Sequence, residues 1–187
     1  MNTLKKVLKI IGKIFLVGLA ALVIFLLFQR HRNDRNWNND QKVLSYAEIN
    51  DTAATVHNVR SNTYRTVDDY DVAYYDKTYK LDDLKKVYFV VEPFSDYKGP
   101  AHTFVSFEFT NDVFVSISVE IRKEQGEHFS PWMGMLRQYE LTYVVADEKD
   151  VVKLRSNFRK DKVFVYPINT TKEKAISLFT DMLARAN

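Results

Sequence analysis

Apolar side chains run unbroken from Ile14 to Phe28 (IFLVGLAALVIFLLF), the longest such run in the chain. Adding Ile10, Ile11 and Gly12 across Lys13 brings the segment to 19 positions, within the roughly 17–25 that a membrane-spanning helix needs. Lys13 lies near one end, where its stem reaches the headgroups. No small-x-small cleavage site follows Leu26-Leu27-Phe28-Gln29-Arg30, so the pattern predicts an uncleaved anchor over 10–28 rather than a signal peptide. Polar residues 29–42 (QRHRNDRNWNNDQK) then read as a juxtamembrane tether, with Trp37 at the membrane interface.

Beyond the tether the period changes to two. Val87–Glu92 (VYFVVE) is an apolar run of strand length. Thr103–Phe109 places Val105, Phe107 and Phe109 on one face, and Val113–Ile121 does the same with Val113, Val115, Ile117, Val119 and Ile121. Thr110-Asn111-Asp112 joins these two runs with turn chemistry, which predicts a hairpin. Leu141–Val145 and Lys162–Tyr166 are further strands. Helical spacing returns at Ile176, Phe179, Met182, Leu183 and Ala186 behind Thr170-Thr171-Lys172-Glu173, a helix start. A shorter helix is expected around Val151, Leu154, Arg155 and Phe158. Mixed strands and helices around an antiparallel hairpin give an α+β domain, a mixed sheet with flanking helices, over residues 43–187.

The formal net charge of +3 divides unevenly. Residues 1–35 hold seven basic side chains and one acid, whereas residues 36–187 hold 20 basic and 23 acidic ones. With no basic excess in the body, nucleic acid is not an expected partner, because phosphate binding needs clustered uncompensated Lys and Arg. Four lysines and the terminal amine precede the apolar core and three arginines follow it. That bias predicts residues 1–9 in the cytoplasm and the body outside. There is no cysteine, which removes disulfides, Cys-ligated zinc and any cysteine nucleophile from these residues.

Several blocks occur in an order similar to that of the bacterial DUF4105 family, the N-terminal periplasmic domain of the lipoprotein N-acyltransferase Lnb. They are Trp37 with Tyr46-Ala47-Glu48-Ile49, His57-Asn58-Val59-Arg60, Asp69-Tyr70-Asp71 with Tyr74-Tyr75-Asp76, and Gly99-Pro100-Ala101-His102-Thr103-Phe104. Val119–Glu127 and Tyr139–Asp150, followed by Leu154-Arg155, continue the series. The resemblance covers about residues 37–187. It implies a fold of papain-like character, a location on the inner (cytoplasmic) membrane facing the periplasm, and acyl transfer to lipoproteins by a cysteine–histidine pair. It matches His102 to the family's histidine. The family's cysteine is expected in an Asn-Cys-Thr-Thr-like segment after the helix matching 171–187, so the domain is expected to be incomplete at its C-terminus. On that ground the chain is expected to be a non-catalytic relative, with an acyltransferase completed by a thiol from another chain or from missing coding sequence as the alternative. The implied partners are the bacterial membrane, lipoproteins or phospholipid acyl chains, and a protein that completes the domain.

Two residues stand as site candidates. His102 opens a strand, a placement suited to a general base facing a nucleophile. Glu120 points away from the Val/Ile stripe beside Ser116 and Ser118, a placement from which it orients His102 or helps position a substrate, or else pairs with Arg122 or sits in water. Arg122, Glu124, Glu127, Glu140 and Arg155 read as a structural ion-pair set. His57, His102 and His128 lack ligand spacing, and neither a metal nor a cofactor is expected. Ser130–Leu136 (SPWMGML) is expected to pack in the core, with an acyl-chain groove or contact with the bilayer as its functional readings.

Overall fold

A computed structural model describes residues 2–28, 32–94 and 99–186. Residues 29–31, assigned to the tether, lie outside them. The chain forms two compact units, Met1–Arg35 with Gly126–Glu140, and Asn36–Gln125 with Leu141–Asn187.

The first unit holds helix α1 (Asn2–Leu27). Its segment Lys5–Leu27 is long and apolar enough to cross a membrane by length and composition; 23 residues at about 1.5 Å each span about 35 Å. Beyond it, the Arg32 backbone N–H donates to Glu140 Oε1 at 2.8 Å, and Arg35 Nη2 reaches the same oxygen at 3.5 Å. The short helix α2 (Pro131–Met135) belongs to this unit. Core packing was expected for it, but Trp132 and Met135 are 74% and 72% exposed. The reason is Tyr139, whose hydroxyl accepts the Ser130 N–H at 2.6 Å and donates to the His128 carbonyl at 3.2 Å. Its ring lies about 4 Å from where a side chain at Gly134 would begin. Tyr139 thus fills the inside of the loop and leaves the larger apolar groups outside.

The second unit is built on a sheet. Its strands are β1 (Tyr46–Ile49), β2 (Ala53–Arg60), β5 (Tyr74–Lys80), β6 (Leu84–Pro93), β7 (Ala101–Phe109), β8 (Val113–Arg122), β9 (Glu140–Ala146) and β10 (Phe164–Pro167), while β3 (Thr63–Tyr64) and β4 (Tyr70–Asp71) form a separate ribbon. The order is β1-β2-β9-β8-β7-β6-β10, with β5 also paired to β2. The β2–β9 pairing is parallel, at Arg60 and Ala146, while β6, β7 and β8 run antiparallel. The expected hairpin turns at Asn111 and Asp112, both left-handed at φ 61° and 54°, a conformation that Asn and Asp tolerate. The last strand starts two residues later than its apolar pattern suggested. It also includes Pro167, which an edge strand accepts because one side needs no N–H.

Alternation gives the sheet two buried faces. On one, Val87, Phe107, Phe109, Val115 and Ile117 pack with Tyr79 against Ala175, Phe179 and Leu183 of α4 (Lys172–Ala186); Phe179 and Leu183 belong to its predicted apolar stripe, whose Ile176, Met182 and Ala186 pack half-buried at the margin. The Phe179 ring meets those of Phe107, Phe109 and Tyr79 at 4.9–5.8 Å. On the other, Val90 and Phe104 pack with Val144, Ala146 and Val151. Val151 lies on α3 (Glu148–Lys153), which widens into a π-helical turn over Leu154–Arg159 and ends at left-handed Lys160. Ser106, Ser116 and Ser118 are fully buried on this face; side chains this small let the covering helix come close. Fold class therefore agrees with the reading from pattern: a mixed sheet, flanking helices and an apolar N-terminal helix.

The tether is shorter than its polarity suggested. Trp37 does not rest at a membrane interface; it is 4% exposed, bridges Glu124, and has the Arg122 guanidinium 4.3 Å over its ring. The Asn38 N–H donates to the Lys123 carbonyl, Gln41 Nε2 donates to the Ile121 carbonyl, and Arg122 donates to the carbonyls of Gln41 and Lys42. Residues 36–42 are thus part of the folded body, because the indole buries more apolar surface there than a solvated linker would allow.

Candidate functional site

Where β6, β7 and β8 lie side by side, their alternation points one set of polar residues at the covering helix. Glu92 and His102 are register partners, as are Phe104 and Ser118. His102 is therefore diagonal to Ser118, and its Nε2 lies 2.9 Å from Ser118 Oγ. Glu120 follows two residues further along β8 on the same face.

The π-helical turn supplies the group that joins them, as such turns often do at functional positions. Arg155 Nε donates to Glu92 Oε2 at 2.6 Å, Nη2 to Glu120 Oε1 at 3.0 Å, and Nη1 to the Val151 carbonyl at 2.9 Å. Its guanidinium stacks 5.1 Å over the Phe104 ring, and Arg159 comes within 3.8 Å of Glu92. Beside this cluster Arg60 grips Asp150 with two hydrogen bonds of 3.0 Å. Asp150 also accepts the Asn62 N–H and the Tyr64 hydroxyl. Both pairs are nearly free of solvent, so removing one partner would strand a buried charge at a cost of about 3–5 kcal/mol.

These surroundings set the protonation of each group. Burial opposes the charge on Glu120, yet Arg60 and Arg155 outweigh it and hold the carboxyl down at about 2. Burial pushes Glu92 above the usual carboxylate range although Arg155 and Arg159 pull the other way. His102 is pushed down, first by burial and then by Arg155, against the opposing pull of Glu120. It is therefore a neutral imidazole at neutral pH, the form in which a base accepts a proton. Ser118, its hydrogen-bond partner, is completely buried and offers no surface at which a substrate carbonyl would meet it.

The two candidates thus come together within one polar cluster. Glu120 pairs with Arg155, not with Arg122, which is engaged by the Gln41 and Lys42 carbonyls. Of the expected ion-pair set, Arg155 belongs to this cluster, and Glu140 holds Arg32 and Arg35. Glu92, Arg60 and Asp150 were missed as members. A glutamate closing an apolar strand run was the one signal available for Glu92, while the 63 residues separating it from Arg155 hide the pairing. His57 lies elsewhere, with Nδ1 2.7 Å from Asp76 and its ring stacked on Tyr46. Among the described residues no group of His, Asp and Glu is arranged to hold a metal. A cavity of about 440 Å³ lies at the start of α4, lined by Lys85, Val87, Ile168, Thr171 and Lys172 among others; it is separate from His102.

Residues 70–187 match the family model described as the Lnb N-terminal periplasmic domain. The matched span includes Glu92, His102, Ser118, Glu120 and Arg155. No curated protein and no solved structure matches the chain.

Proposed function

The chain belongs to the Lnb N-terminal periplasmic domain family, and from that premise we propose a membrane-anchored periplasmic module whose 187 residues keep the family-matched histidine and hold no thiol for it to activate. The carrying observation is the lack of cysteine among the 187 residues, since a histidine by itself has no acyl-carrying nucleophile to deprotonate. The bond between His102 Nε2 and buried Ser118 supports the same reading, because it gives that nitrogen a structural partner. Such a module binds lipoproteins or phospholipid acyl chains at the inner membrane, or a protein partner, without transferring the acyl group.

A second reading has its own support. His102 is held as a neutral imidazole beside Glu120, the state an acyl-transfer base requires, and a thiol supplied by another polypeptide or by coding sequence beyond these residues would complete the pair. Expression in a bacterial strain lacking lipoprotein N-acylation separates the two. The proposal expects lipoprotein N-termini to stay unmodified by mass spectrometry. N-acylation that returns with the native chain and disappears with His102→Ala, at matched protein abundance, would establish the second reading instead.

A further inference from the structure

We propose that the loop Phe129–Leu136 is a second membrane contact, inserting into the bilayer interface on the side where the anchor helix emerges. The inference rests on reading α1 as that anchor. Phe129, Trp132 and Met135 are 58%, 74% and 72% exposed, and Met133 and Leu136 join them at the surface. Eight successive residues, FSPWMGML, carry no charge. An exposed apolar cluster of this kind marks an interaction site on an otherwise polar protein.

Two further observations identify lipid as the occupant. The first is continuity with the anchor. The loop and α1 belong to the same compact unit, and Glu140, just past the loop, is held by Arg32 and Arg35, just past the apolar helix. The second is how the backbone is satisfied. The Ser130 N–H donates to Tyr139 Oη, Gly134 to the Ser130 carbonyl, Leu136 to Trp132, Arg137 to Gly134, and Gln138 to Met133. A segment entering a water-poor layer is favoured when its hydrogen bonds are met internally, and the N–H groups of Ser130, Gly134 and Leu136 are so met, as are the Ser130, Trp132, Met133 and Gly134 carbonyls, while the apolar side chains turn outward. Trp is also the side chain best suited to headgroup depth, with an apolar ring and one polar N–H. Insertion would carry the side chains about 5–10 Å into the headgroup and acyl boundary.

The chain has two tryptophans, and Trp37 is buried in the body, so Trp132 reports on the loop. The full chain is reconstituted in vesicles of phosphatidylethanolamine and phosphatidylglycerol, with and without lipids brominated at the upper acyl carbons. The inference expects Trp132 emission shifted to the blue and about two-fold weaker in the brominated vesicles, as burial at acyl depth requires. Trp132→Phe removes the quenched component and leaves the Trp37 emission unchanged, which also shows that the body is folded. If the protein floats with the vesicles but Trp132 is unquenched, the inference is wrong and the anchor stands; this holds whether its emission is water-like or blue-shifted by a protein partner. Should the protein stay at the bottom of the gradient, the anchor reading falls, and the inference with it.

Discussion

At the scale of single residues, buried charge decides the behaviour of the polar cluster, and pH is the means of reading it. Glu120 ionises in the folded chain at about 2, below its ordinary 4.5. The unfolded chain therefore binds more protons between those values, and stability falls as pH drops through that window. His102 is depressed below 6.5, so the unfolded state again binds more protons just under 6.5, and stability is lost there on acidification too. Glu92 acts in the opposite sense: its raised value makes the folded chain the better proton binder just above 4.5. Melting temperatures measured across pH should show two acid-side declines. Glu120→Gln should flatten the one below 4.5, and His102→Gln the one just below 6.5. Profiles of both variants that run parallel to the native chain would show that neither group is linked to folding.

At the scale of elements, the legibility of each segment follows how evenly its two sides are buried. The β7–β8 hairpin was readable because one face meets α4 and the alternation is strict. Helix α4 was readable because Phe179 and Leu183 are buried at the centre of one apolar stripe, with Ile176, Met182 and Ala186 half-buried around them. The strands β1, β2 and β5 escaped the pattern: β5 reads YYDKTYK, mostly solvated, with Tyr79 as its one buried side chain. Edge strand β10 differs again, since Phe164, Val165 and Tyr166 are all exposed. Hydrophobicity there does not mean core. Phe179→Ala should cost about 3–5 kcal/mol, whereas Phe164→Ser on the exposed edge should stay within about 0.5 kcal/mol, as measured by denaturant unfolding. Equal losses at the two positions would mean that β10 is covered in the native protein.

At the scale of the whole molecule, charge and hydropathy divide the chain between membrane and solvent. Seven of the basic side chains lie in the first 35 residues around the apolar helix, and the remainder is slightly acidic. The positive-inside bias predicts a cytoplasmic N-terminus and an exported body. A C-terminal alkaline phosphatase fusion should then be active and a C-terminal fluorescent protein dark; the reverse pair would invert the topology.

Read alone, the residues determined the apolar N-terminal helix, the hairpin, the terminal helix, the α+β class, the family resemblance and the lack of cysteine among these residues. Each is local: a run, a period, a turn or a composition, carried by neighbours within a few residues. Only the tertiary structure decided that Arg155 joins Glu92 and Glu120, that His102 rests on Ser118, that Trp37 is core and that Trp132 is not. Those outcomes depend on which distant segments share a sheet face or fill a loop from inside, and burial, with the charge pairing that it forces, is a property of the assembled chain.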